Sequence, residues 1–207
     1  MKKTILWVLA ALMAMAPCFS KPLTEKEIKA RVKTQVKQLK KGGWEVWGTA
    51  LPLDAALTEF YTKKSEMGDF GYEQVGNGSE STNKTVLHQK ALMDAARSYS
   101  QKAESQIVGK IMSDINGISA KDLEEISSTF SASVSKRISG QLKEYFSIIR
   151  PSKDIPGSYE MQTFFLVDEK EAVLLRRQAL KEAYVEKRFQ KEVMDALDNL
   201  AVEPMAN

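Results

Sequence analysis

With one cysteine, Cys18, and one histidine, His88, the chain has few of the side chains that bind transition metals or activate nucleophiles. Zinc-type sites draw on several thiolate or imidazole ligands. A serine or cysteine hydrolase needs a histidine base, and no G-x-S-x-G elbow accompanies His88. No P-loop and no G-x-G-x-x-G stretch is present; Gly76-x-Gly78 lacks a third glycine and a following apolar helix start. The formal charge of +3 is close to neutral, which argues against nucleic acid or an anionic membrane as partner. There is no tandem repeat and no low-complexity segment. From the sequence, no catalytic residue, no cofactor-binding residue, no metal ligand and no cofactor is assigned.

The one long apolar run stands at the N-terminus. Lys2 and Lys3 precede an almost wholly apolar stretch from Ile5 to Ala16, then Pro17 and Cys18-Phe19-Ser20. This reads as a secretory signal peptide over residues 1–20, cut after Ser20, with small residues at the two positions that the peptidase inspects. The run falls short of the ~20 residues that a spanning helix needs. An uncleaved anchor is one alternative; helix-breaking Pro17 and polar Lys21 oppose it. Lipidation of Cys18 is another, and only then would the membrane be a partner. Pro17 before the cysteine and Met15 three before it match the lipoprotein context poorly. Cleavage after Ser20 removes the only thiol, so stability has to come from the core and not from disulfides. It also removes Lys2 and Lys3, taking the formal charge from +3 to +1.

The rest divides into an N-terminal helical segment, 21–68, an α+β domain, 69–201, and a flexible tail, 202–207. Thr24-Glu25-Lys26-Glu27 is a capping box. It opens a helix with Ile28, Val32, Val36 and Leu39 at helical spacing, ended by Gly42-Gly43. Trp44 to Trp47 is a short extended segment. Pro52-Leu53-Asp54 restarts a helix carrying Leu53, Ala56, Leu57, Phe60 and Tyr61. Asp69 to Val75 reads as a strand, with Gly76-Asn77-Gly78-Ser79 as its turn and Ser79 to Lys84 as a loop. From Thr85 to about Ile115 the residues Leu87, Ala91, Ala95, Tyr99, Ala103, Ile107, Ile111 and Ile115 form a four-residue row on one long helix. Ser119 with Asp122 caps the next helix, buried through Leu123, Ile126, Phe130, Val134 and Ile138 and serine-rich elsewhere. Lys143 to Arg150 and Tyr159 to Val167 read as an antiparallel hairpin. Asp168 and Glu171 cap a final helix running to about Leu200. The expected fold class is α+β: a small, mainly antiparallel sheet with long α-helices on one face and an N-terminal helical extension.

Several residues invite a chemical reading. Glu124 with Glu125, Glu169 with Glu171, and Asp195 with Asp198 are paired carboxylates, and a glycosidase needs two such groups across a cleft. Their places on helix faces and helix starts favour solvated charges and caps. His88, near a helix start, reads as a capping or surface residue. Trp44 and Trp47 read as a plug between the first helix and the core, with sugar or base stacking as the alternative. Asn77-Gly78-Ser79 and Asn83-Lys84-Thr85 match the glycosylation pattern by chance in a segment rich in Asn, Ser and Thr.

The stretch from Tyr72 to Val167 combines a glycine-ended strand, Ala91, Ala95, Ala96, Arg97 and Ala103 on a long helix, a serine-rich helix and an aromatic hairpin. In this it resembles the LPP-twenty-like family of small bacterial outer-membrane lipoproteins. With Trp44-x-x-Trp47 and Leu51-Pro52-Leu53 added, it is similar to uncharacterised exported proteins of Gram-negative gut bacteria. The resemblance implies a location in the cell envelope, in the periplasm or on the periplasmic face of the outer membrane, and carries no enzymatic activity with it. Pro17 before Cys18 departs from the family's anchoring context. The sequence thus favours an exported envelope protein that binds or scaffolds another envelope protein, or associates with itself. The alternative is a carboxylate-dependent hydrolase acting on cell-wall or dietary glycans.

Overall fold

The computed structural model describes residues 23–185, 191–200 and 202–205. The signal segment and Cys18 lie outside the described residues. The elements are helix α1 (Glu25–Lys41), strand β1 (Glu45–Trp47), helix α2 (Leu53–Met67), strand β2 (Gly71–Ser81), helix α3 (Lys84–Asp114), helix α4 (Ala120–Ile138), strand β3 (Lys143–Pro151), strand β4 (Tyr159–Asp168), helix α5 (Glu169–Val185) and helix α6 (Lys191–Asp198). The sequence reading runs α5 and α6 together; residues 186–190 between them lie outside the described residues.

The fold is α+β, and its sheet is antiparallel in the order β1-β3-β4-β2. Helices cover both faces, where the sequence reading placed them on one. The reason lies in β4. Phe164 and Leu166 point into a cluster with α1 and α2, around Ile28, Leu57 and Phe60. Phe165 and Val167 point the other way, into a cluster with α3, α4, α5 and α6. Adjacent side chains on a strand face opposite sides, so an unbroken apolar run marks a strand buried twice.

The helix starts follow local chemistry. The Thr24 hydroxyl accepts the Glu27 N–H at 3.3 Å, and the Thr24 N–H donates to the Glu27 carboxylate at 2.7 Å. Asn83 Oδ1 accepts from the Thr85 and Val86 amides at the start of α3. Ser119 accepts from Asp122 N at 3.1 Å and so starts α4. Each cap satisfies amides that a helix start leaves without an intrahelical partner.

Strand β2 overturns the expected turn. Gly76 and Gly78 lie inside it, paired with Thr163 and Met161 of β4. Both glycines face α3 at a separation that admits no side chain. A Cβ on Gly76 would meet the Ala91 carbonyl oxygen at 1.9 Å, and one on Gly78 would meet that of Leu87 at 2.2 Å. Two residues of strand advance ~6.8 Å and four residues of helix ~6 Å, so the two repeats stay nearly in step. Gly78 therefore meets Leu87, Gly76 meets Ala91 and Ala95, and Tyr72 meets Tyr99, with ring centroids 5.7 Å apart.

Helix α3 has 31 residues, about 46 Å at ~1.5 Å per residue, so it outruns the sheet. Its first half lies on β2 and β4. Its second half, through Ala103, Ile107 and Ile111, joins Phe130 of α4, Leu180 of α5 and Leu197 of α6. The expected four-residue row is buried along its whole length.

Within the expected flexible tail, the described residues 202–205 are docked and not frayed. Val202 and Met205 are buried in the α3–α6 cluster, while Glu203 and Pro204 between them are exposed.

Candidate functional site

The first residue of α5 corrects the reading of the carboxylates. Glu169 is fully buried, as is Arg176 two turns further along the same helix. The Arg176 guanidinium donates to Glu169 Oε2 at 2.8 Å, to the Tyr99 hydroxyl and to the Glu203 carbonyl at 2.8 Å. The Tyr99 hydroxyl donates to Glu169 Oε1 at 2.7 Å, and the Met205 N–H donates to Glu169 Oε2 at 2.8 Å. A buried carboxylate is tolerated only where its charge is paired and its lone pairs are used, and here both conditions hold. Burial pushes the Tyr99 phenol far above its usual range, against the opposing pull of Arg176. Tyr72 is pushed up to about 12, by burial first and then by the Glu169 and Glu73 charges. Lys102, whose ammonium lies 3.1 Å from the Tyr72 hydroxyl, is shifted down by burial. The cluster ties α3, α5 and the tail together, and both Glu169 oxygens are occupied by donors.

The other paired carboxylates line neither of the two concavities beside Trp44 and Val202. Asp198 accepts the Tyr184 hydroxyl, and Glu124 is exposed on α4. These two concavities each carry one carboxylate in their lining, Glu45 in one and Glu203 in the other. A glycosidase pair is therefore not assembled in either. The serines of α4 do not simply face water: Ser127 donates to Glu104 of α3, and Ser133 donates to Glu182 of α5 at 3.0 Å.

His88 belongs to a chain of polar contacts that joins α3 to the sheet. Its Nε2 lies 2.8 Å from Glu144 Oε2, and the Ser147 hydroxyl donates to Glu144 Oε1 at 2.9 Å. Ser147 and Thr163, both buried, share a hydrogen bond of 2.9 Å across β3 and β4. The carboxylate stands between imidazole and hydroxyl. That order differs from a hydrolase triad, where the imidazole must touch the hydroxyl to take its proton. Among the described residues no three His, Cys, Asp or Glu side chains converge as a metal site would require.

Trp44 and Trp47 sit just before β1 and at its end. The Arg150 guanidinium lies 4.5 Å from the Trp44 ring centre, held there by Glu160 at 2.8 and 2.6 Å and by the Gly42 carbonyl at 3.2 Å. Trp47 stands 5.5 Å from the His88 ring. Next to them an open groove of about 470 Å³ runs along β1, lined by Trp44, Val46, Leu51 and Pro52 with Lys40 and Glu45. Strand β1 is an edge of the sheet and covers only Ser147 to Ile149 of the longer β3. Glu45 and Val46 of this strand line the groove. Leu51, at 46% exposure, stands at the groove.

Compared with protein-family models, with curated proteins and with solved structures, the chain matches none. No helix among the described residues is long and apolar enough to cross a membrane.

The sequence pointed at both tryptophans and at Glu169, the latter as a solvated cap. It missed Arg176, Tyr99 and the tail as its partners. The one available signal was Tyr99 in the apolar row, since a buried tyrosine needs a partner for its hydroxyl.

Proposed function

We propose that this chain is an exported, non-enzymatic binding protein of the cell envelope, and that it holds an extended segment of another envelope protein in the groove beside β1. The groove carries the reading. It joins a short edge strand of the sheet to an apolar wall formed by Trp44, Val46, Leu51 and Pro52. Such an edge gives affinity through main-chain hydrogen bonds, and flanking pockets give selectivity. The apolar N-terminal run, Pro17 and Ser20 support export.

Crosslinking in intact cells followed by pull-down tests the binding. The expected result is one specific protein, captured by the wild type and lost with Leu51→Asp or Trp44→Ala. Equal capture by all three, or repeated capture of none, would overturn it. Cell fractionation with an intact mass tests export separately. The expected mass is that of a chain starting at Lys21 without lipid; a cytosolic chain starting at Met1 would end this part of the proposal.

A further inference from the structure

The segment Val202–Met205 is held in the way a bound peptide is held. Its main chain is read at two points: the Glu203 carbonyl accepts from Arg176 at 2.8 Å, and the Met205 N–H donates to Glu169 at 2.8 Å. Its first and fourth side chains, Val202 and Met205, are buried, and the two between them are exposed. On the outer side Lys110 bridges to Glu203 at 3.0 Å, with the Glu203 side chain 67% exposed.

The receiving groups also hold one another. Glu169 and Arg176 bond to each other, and Tyr99 bonds to both. If the tail left, Glu169 would keep Arg176 and Tyr99, so no naked charge would remain in the interior. Space remains beside the tail as well. A partly open cavity of about 140 Å³ adjoins Val202, lined by Ala103, Ile107 and Phe130 and by the polar Gln106, Lys110 and Arg176. The valine side chain does not use that volume.

We propose that this cleft is a second peptide-binding site, distinct from the groove beside β1, whose resident occupant is the chain's own residues 202–205. In trans it takes an extended peptide with an apolar side chain at its first and fourth positions and no side-chain demand between them. A first side chain larger than valine fills the adjoining cavity and gives an incoming peptide the advantage it needs over the tethered tail. Recognition runs through main-chain groups and two apolar anchors, so it selects spacing and size above identity. A large apolar residue in that cavity also removes surface from water that valine leaves wet.

The test uses the full chain with the tail loosened. Met205→Lys removes the fourth anchor, and Glu203→Lys sets two lysines against each other without touching a buried side chain. The probe is a fluorescent synthetic peptide carrying residues 201–205, read by anisotropy, with far-ultraviolet circular dichroism as the check on folding. Both variants should bind the peptide saturably and more tightly than the wild type does. A peptide with leucine in place of Val202 should bind about fourfold more tightly, the effect of one further buried methylene. If Met205→Lys loses its fold, Glu203→Lys alone decides. A folded Glu203→Lys chain that binds no better than wild type, or that does not distinguish leucine from valine, overturns the proposal.

Discussion

The Ala91 carbonyl oxygen occupies the place where a side chain on residue 76 would begin, 1.9 Å from the Cβ that Gly76 lacks. The obstacle is backbone and cannot swing aside as a flexible side chain would. Gly76→Ala should therefore cost at least the ~1–3 kcal/mol of an overpacked core, by urea unfolding. Gly109, on the exposed side of the same helix α3, has nothing within 4 Å of its Cβ position. Gly109→Ala should stabilise the chain by about 0.5–1 kcal/mol, because it removes backbone freedom from the unfolded state. Equal effects of the two substitutions would refute the close approach of β2 to α3.

The pair Glu169–Arg176 should show strong coupling. Arg176→Met leaves a buried carboxylate short of its main counter-charge, a loss of about 3–5 kcal/mol. Glu169→Gln in the same chain should recover part of that loss, since no uncompensated charge then remains. A double-mutant cycle reads the coupling directly. Losses that simply add would mean that the two side chains act independently.

Stability should fall at alkaline pH. Burial holds the Tyr72 and Tyr61 phenols at about 12, with Glu73 adding to the shift at Tyr61. In the unfolded chain a tyrosine ionises near ~10. An acid whose folded pKa is raised favours the protonated fold. The contribution is complete below the unfolded value and disappears as pH rises through the folded one. Unfolding free energy should thus decline between pH ~10 and ~12, with phenolate absorbance rising as the fold is lost. A phenolate signal that is complete at pH ~10 with the fold intact would contradict this burial.

The hydroxyl pair in the sheet gives a further check. Ser147→Ala takes from the buried Thr163 hydroxyl its 2.9 Å partner on β3, and should cost about 1–3 kcal/mol. Adding Thr163→Val removes the orphaned group along with its partner. The double variant should be closer to wild type in thermal midpoint than the additive expectation.

What could be read from the sequence was local or periodic. The caps at Thr24, Asn83 and Ser119 act over two or three residues. Only the caps at Thr24 and Ser119 were read as such in the sequence. The row from Leu87 to Ile115 repeats at the pitch of one helix, and the hairpin strands announce themselves by runs of aromatic and branched apolar residues. Gly76 and Gly78 were misread because two glycines flanking an asparagine look alike in a turn and in a strand pressed against a helix. The partner that decides between them, Ala91, is local to neither. Glu169 was misread for a similar reason. A carboxylate at a helix start is ordinarily solvated, and what buries this one is Tyr99, 70 residues before it, and Met205, 36 residues after it. The tail looked frayed because its two anchors make sense only once the receiving cleft exists.

Helix α3 serves the sheet along one half of its length and the helical layer along the other. A single rod shared by two packing layers makes them one mechanical body. Neither layer can open without bending or melting turns on which its neighbour rests. Amide exchange should accordingly slow to the same extent around Ala95 and around Ile107, and heat should dissolve the two layers in one transition.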